Sequence, residues 1–419
     1  MARRAPLLQG MHLKMRKIKL YYSIVDTFPP FRVDVADLFG NYIAKKNVEI
    51  TWFMQREKPG AYSVEAYENQ TVNLPYKFSN INFFSKLLSK FSYWLFDLLG
   101  LLKLIFKDID IIQTRDKYIA SLLALFISRI KRVRYVYWCS YPFPELALIE
   151  ANKKRDVQRL WLVFSAHVIH FVLYKIIMRL ADHSFVQSQQ MLENIAAYGV
   201  PKNRMTAVPM GVPSRLLGWT SSNAIAIVSK RIVYLGTLDS ARHLDMLIDA
   251  FALVHNQCAT ATLLMVGEGV KPQDRSNLAQ QVVRLGLADA VTFTGFVPIE
   301  QAWSYAASAA VCVSPIYPSF ILNCGSPTKL HEYMALGRPV VCNHHPEQTY
   351  VINESAAGLC VEWGAKSFAT AILWMLNNAA EAELAAKNGP TWIAHNRAYP
   401  AIADDVLRKY QQLLQANKR

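Results

Sequence analysis

The chain has 419 residues, 52% of them hydrophobic, which is enough for two domains of about 200 residues each and too apolar for a disordered chain. Its 46 Lys and Arg against 31 Asp and Glu give a net charge of +15 and point to an anionic partner. Six cysteines (Cys139, Cys258, Cys312, Cys324, Cys342, Cys360) form no C-x-x-C pair, which argues against zinc and for reduced, cytosolic thiols.

Residues 1–16 read as a flexible basic extension, since they lack the apolar centre of a signal peptide. From 17 to 213 the chain alternates strands and helices, with β-rich apolar runs at 17–25, 48–54, 110–114, 134–140, 184–188 and 205–210. This half holds 30 Lys and Arg against 16 Asp and Glu, whereas the rest holds 16 against 15. Within it, 83–107 is an amphipathic helix. Lys86, Lys90, Asp97, Lys103 and Lys107 share one arc, and Leu87, Phe91, Trp94, Leu98 and Leu102 lie opposite. Such a helix suits either a membrane interface or the back of a sheet with its lysines in water. The charge surplus favours an anionic membrane, where each basic residue near the surface is worth about 1 kcal/mol. No uncharged run reaches the roughly 18–20 residues of a membrane span; the longest is 160–174.

A hinge is expected at 210–219. A second alternating half then occupies 214–395, with strands at 231–236, 261–267, 291–294, 310–315, 338–343 and 358–361. Residues 396–419 read as a last helix returning to the first half. Two doubly wound sheets predict a ligand between them, beyond the carboxyl ends of the strands.

The most informative stretch is Ser326-Pro-Thr-Lys-Leu-His-Glu-Tyr-Met-Ala-Leu-Gly-Arg-Pro-Val-Val-Cys-Asn343. Its opening is a helix N-terminus, with Ser326 expected to cap and Pro327 in the first turn, followed by a glycine stop and a buried strand. Free amides and the helix dipole there attract an anion, and Glu332 lies one and a half turns inside. Phosphates on the amides and a diol on the carboxylate outline a nucleotide sugar. Upstream, 231–242 is a strand, a turn at Gly236-Thr237 and a cation, Arg242. Gly267-Glu268 and Gly295-Phe296 end the following strands.

This set resembles the retaining glycosyltransferases of family 4. The resemblance implies an α/β chain of GT-B fold, two doubly wound Rossmann-like domains facing a central cleft. It also implies transfer of a hexose from a UDP- or GDP-sugar. Glu332 matches the family Glu that binds the ribose, while the family's other Glu, which contacts the donor sugar, falls on Cys324. Arg242 stands where the family has Lys, and Thr237 where it has Arg. Arg242 and Lys329 would hold the diphosphate as its charge grows. Gly236, Thr237, Gly267, Glu268, Gly295, Phe296, Ser326, Pro327, Thr328 and Leu330 would surround the donor.

On the acceptor side the glycine-rich loop of the family is replaced by Asp26-Thr-Phe-Pro-Pro-Phe-Arg-Val-Asp34, which offers Phe31, Arg32 and Asp34. Ser140 takes the place of a His, beside Tyr141 and Glu145, and Asp116 is a further polar group. The resemblance implies no metal and no cofactor beyond the donor, and a front-face reaction in which a donor phosphate oxygen helps remove the acceptor proton. The expected partners are a nucleotide sugar, a lipid-linked saccharide and an anionic membrane, with no nucleic acid. The expected place is the inner face of the cytoplasmic membrane. Two alternatives stay open: a nucleotide-sugar epimerase on the same fold, and a non-catalytic binding subunit.

Overall fold

The computed structural model describes residues 16–30, 32–68, 70–79, 82–223 and 225–416. The expected extension at 1–16 therefore lies outside the described residues, except for Arg16, which pairs with Asp108 at 2.8 Å.

Among the described residues, two sheets carry the molecule. The first has eight strands: β1 Ile18–Phe28, β2 Val48–Arg56, β3 Ser63–Tyr67, β4 Gln70–Leu74, β5 Ile111–Arg115, β6 Arg134–Cys139, β7 His183–Val186 and β8 Met205–Ala207. They lie in the order β3-β4-β2-β1-β5-β6-β7-β8, all parallel except β3 against β4. The second has six parallel strands, β9 Arg231–Leu235, β10 Thr262–Val266, β11 Val291–Gly295, β12 Val311–Ser314, β13 Val340–Asn343 and β14 Gly358–Val361, in the order β11-β10-β9-β12-β13-β14. The chain reverses its direction of growth between β1 and β5 in one sheet and between β9 and β12 in the other. Crevices at such reversals are where open parallel sheets bind ligands.

Central strands such as β5, β12 and β13 are buried along their whole length, because helices cover both faces. Over the first sheet lie α1 Phe83–Lys103, α2 Tyr118–Lys131, α3 Phe143–Ala151 and α4 Asp156–His170. The helical run that begins with α4 continues to Leu180. At 25 residues, with an 18-residue window of mean hydropathy 1.8, Asp156–Leu180 is long and apolar enough to cross a membrane by length and composition. This corrects the expectation that no segment reaches that length. Counting uncharged runs stops at Arg159 and Lys175, whereas the folded helix runs on through both.

The helix Tyr399–Gln415 packs on the first sheet, where Tyr399, Ile402, Val406 and Tyr410 join β1, β2 and β6 in one core. The Tyr410 hydroxyl donates to Gln113 Oε1 at 2.6 Å on β5. The connection between the sheets is tied to the start of this helix. Val212 N–H donates to Arg397 O (2.8 Å), and Tyr399 N–H donates back to Val212 O (3.0 Å).

Candidate functional site

A cleft of about 640 Å³ opens at the carboxyl ends of the second sheet. Its floor is made by strand ends that approach unusually closely. Gly267, at φ +139°, lies so near the end of β9 that a Cβ there would stand 2.1 Å from Gly236 O. Only glycine permits this approach, and it brings backbone within reach of a ligand.

One wall is the N-terminus of the helix Thr328–Ala335. The sequence suggests that Ser326 caps it; the structure corrects this. Pro327 occupies the cap position without a capping bond, and Ser326 Oγ instead accepts from Met210 N–H at 3.0 Å, across the hinge. The first amides of the helix therefore have no side-chain cap and, together with the dipole, face the cleft as an anion site.

Two cations converge beside those amides. Arg242, in a short turn after β9, lines the cleft. Lys329 is buried with its ammonium 4.5 Å from the centre of the Tyr234 ring and 3.4 Å from the Tyr234 hydroxyl. Burial and the nearby Arg242 charge draw the Lys329 ammonium well below its ordinary range, against the pull of Glu332. Glu332 lies one helical turn further on, half-buried in the cleft wall. Its Oε1 accepts from Trp303 Nε1–H at 3.1 Å. Desolvation pushes its carboxyl up to about 7, although the Trp303 bond and Lys329 oppose the rise.

Of the donor residues expected from sequence, Gly236, Thr237, Arg242, Gly267, Glu268, Phe296, Ser326, Pro327, Thr328, Lys329 and Glu332 line this cleft. Gly295 and Leu330 do not. Leu330 belongs to the apolar core behind the helix, because its position in the turn faces the sheet, and Gly295 sits behind Glu268. Trp303 and Tyr234 were missed: an indole in a helix and a tyrosine in a strand both read as core. His345, unassigned by sequence, lines the cleft with its Nε2 3.0 Å from Leu322 O.

The carboxyl ends of β1, β5 and β6 form the other side. Arg115 is fully buried, with Nη2 2.8 Å from Asp34 Oδ2 and Nε 3.6 Å from Asp116 Oδ2. Arg32 Nε lies 3.2 Å from Asp34 Oδ1. Burial opposes ionisation of Asp34, but Arg115 and Arg32 outweigh it and hold the carboxyl low. Asp34 is thus engaged by arginines of its own domain. Asp116, in a left-handed conformation, accepts from both the backbone N–H and the hydroxyl of Ser140. Burial raises its carboxyl, only partly offset by Arg115.

Tyr141 is half-buried and close enough to Arg242 for that charge to oppose the effect of burial on its hydroxyl, so the two sides meet here. Glu145, expected on the acceptor wall, is buried instead, with Oε2 accepting from Tyr174 hydroxyl at 3.1 Å. Helix α3 turns it inward, away from solvent. Phe31 lies outside the described residues.

Cys324, where the resemblance places a sugar-contacting carboxylate, is 2% exposed and packs into the core of the first domain. Its Sγ accepts from Asn194 Nδ2–H at 3.2 Å, and its carbonyl accepts from Ser188 Oγ–H at 2.8 Å. The position therefore joins the two domains. A further cavity of about 760 Å³ lies between the C-terminal helix, the end of β8 and residues 346–350, but there Arg397 is spent on Glu347 at 2.9 Å.

Comparisons with known proteins agree with this layout. Residues 35–215 match the model for Glycosyltransferase Family 4, and residues 229–378 match that for Glycosyl transferases group 1. No curated protein sequence matches the chain. Among solved structures, the sucrose-phosphate synthase of Thermosynechococcus elongatus superposes with a TM-score of 0.71 at 21% identity, covering 96% of this chain and 100% of that one. Anabaena HepE, solved in complex with UDP, gives 0.65 at 14% identity, covering 94% and 100%. WaaG, a glycosyltransferase involved in lipopolysaccharide biosynthesis, gives 0.64 at 13%, covering 93% and 99%. These structures share the two-domain GT-B fold.

Proposed function

The chain belongs to the family 4, group 1 glycosyltransferases, and from that premise we propose that it moves a hexose from a UDP- or GDP-sugar, with retention, onto a lipid-linked or other saccharide acceptor. The process would be surface-polysaccharide assembly, with the protein held peripherally at the inner face of the cytoplasmic membrane. One observation carries the donor half of this reading. Unblocked helix amides, Arg242, Lys329 and Glu332 converge in a single cleft at the reversal point of the second sheet.

In this mechanism the diphosphate lies against the amides of Thr328–Leu330, and Arg242 and Lys329 neutralise the charge that grows on it as the glycosidic bond breaks. Glu332 accepts from the ribose hydroxyls. A donor phosphate oxygen helps remove the acceptor proton, so no enzymic base is obligatory. Asp116, whose raised carboxyl is fixed by Ser140, orients the acceptor hydroxyl opposite. No step is assigned to a metal. HepE was solved with UDP and with UDP-glucose, which favours uridine among the two bases.

The burial of Cys324 favours a second reading, a subunit that binds nucleotide sugar without turning it over. Calorimetry with UDP and GDP, followed by radiolabelled transfer from UDP-glucose to a membrane lipid extract, separates the two. Binding with transfer supports the enzyme, and binding without transfer to any acceptor supports the subunit. If neither nucleotide binds, both readings fall.

A further inference from the structure

Helix α1 presents the wrong face to its own domain. Apart from Leu101, the residues it buries are small or polar. Ser89 Oγ accepts from Phe78 N–H at 3.1 Å, and Asp97 Oδ1 accepts from Lys117 Nζ–H at 2.8 Å and Ser23 Oγ–H at 3.1 Å. Gly100 meets Phe53 so closely that a Cβ would stand 2.2 Å from the ring. The apolar stripe faces outward, with Phe84, Leu87, Phe91, Trp94 and Leu102 exposed. A helix that only covers a sheet buries its apolar stripe. This one does the reverse.

The same inversion extends along the layer. Helix α2 packs beside α1 and exposes Ile119, Phe126 and Ile130. Helix α4 exposes Val157, Leu160, Trp161, Phe164 and Val168, a stripe at helical spacing, with Trp161 66% and Phe164 61% exposed. Of its residues only Ala166 is buried. Beyond it, Leu173, Tyr174, Ile177 and Met178 are built into the core under α2. A run anchored at one end in the protein core cannot thread a bilayer, although its length and composition would permit it. It can lie along one.

We propose that α1, α2 and α4 together form a docking face for the interfacial zone of an anionic lipid bilayer. Helices α1 and α2 pack together and α4 joins α2 through residues 171–177, so exposed apolar stripes on all three are more than the scattered surface residues of a soluble monomer. Its charge selects the partner: Lys86, Lys90 and Lys103 accompany α1, and Lys154, Arg155 and Arg159 are exposed at the turn between α3 and α4 and the start of α4. Aromatic and leucine side chains flanked by cations are the chemistry of an interfacial helix. The face also has an address on the site. Helix α3 begins at Phe143, two residues after Tyr141, so the α3–α4 hairpin is a direct continuation of the acceptor wall. This deepens the peripheral attachment proposed above and does not depend on sugar transfer.

The test is sedimentation of the full chain with phosphatidylcholine vesicles, with and without 30% phosphatidylglycerol, at low and high salt. The expected result is at least tenfold stronger binding to the anionic vesicles, weakened by salt. The double variants Leu87→Ser/Phe91→Ser and Trp161→Ser/Phe164→Ser should each lower it at least fivefold while UDP affinity stays at the wild-type value. Failure of the wild-type protein to bind vesicles overturns the proposal. So does binding by the α4 variant equal to wild type, or a dimer in light scattering that the variants dissolve while vesicles are ignored. UDP binding is read on the same samples, so loss of the donor site and loss of the lipid face are seen separately.

Discussion

Trp303 donates its indole N–H to Glu332 Oε1 at 3.1 Å, which holds the carboxylate at the mouth of a cleft that otherwise penalises its charge. Burial lifts Glu332 to about 7, above the value of 4.5 for an unperturbed glutamate. The folded protein therefore holds the proton more tightly than the unfolded chain. The stability this gives is fully present below about pH 4.5 and is lost as pH rises through about 7. Ribose hydroxyls need the carboxylate as acceptor. UDP affinity measured by calorimetry is expected to rise between pH 6 and 8 with proton release. Glu332→Gln should flatten this rise, and Trp303→Phe should move its midpoint upward.

Arg242 and Lys329 separate binding from folding. Arg242→Ala removes charge-assisted bonds worth about 1.5–3 kcal/mol, so UDP affinity should fall about 10- to 100-fold with no change in melting temperature. Lys329 is drawn below its ordinary range by burial, so its charge costs stability at neutral pH. Lys329→Met is expected to melt at or above the wild-type temperature while losing about tenfold in UDP affinity. A lower melting temperature would show that the amine supports the fold.

Gly267 tests the floor of the cleft. Its φ of +139° and the 2.1 Å approach of Gly236 O leave no room for a methyl group. Gly267→Ala should cost at least about 2 kcal/mol in urea denaturation and abolish UDP binding.

Among the cysteines, Cys360 stands apart. The neighbouring Cys342 thiol, paired with it across β13 and β14, pulls its thiol down to about 6 against the effect of burial, and His344 Nδ1 lies 3.3 Å away. Burial pushes the thiols of Cys139, Cys312 and Cys342 up instead. Iodoacetamide at pH 7 should modify Cys360 well before these three, with a rate midpoint near pH 6 that mass spectrometry of the labelled peptides can follow.

Most of the architecture was legible because parallel strands covered on both faces must be continuous apolar runs, as 232–235 and 311–313 are. The hairpin β3–β4 escaped because it closes the edge of the sheet, where β3 exposes Val64 and Ala66 and half-buries Glu65, so its alternation marks no buried apolar face. In the cleft, Arg242 and Glu332 were readable from their distance to a glycine turn and a helix start. The partner of Ser326 was not, since it depends on where the other domain closes. Periodicity located both faces of α1 but could not say which one meets the sheet; Gly100 against Phe53 decides that. Glu145 and Leu330 were misplaced for the same reason, as a residue's number along a helix does not disclose the direction of its neighbours.

The packing of Tyr399–Gln415 on the first sheet has a consequence for biosynthesis. The segment that seals the first sheet follows the whole second sheet in the chain, so a nascent chain cannot finish its first domain until the second has also left the ribosome. Until then an apolar furrow beside Gln113 lies open, and chaperone occupancy on stalled chains should disappear only when Tyr410 emerges.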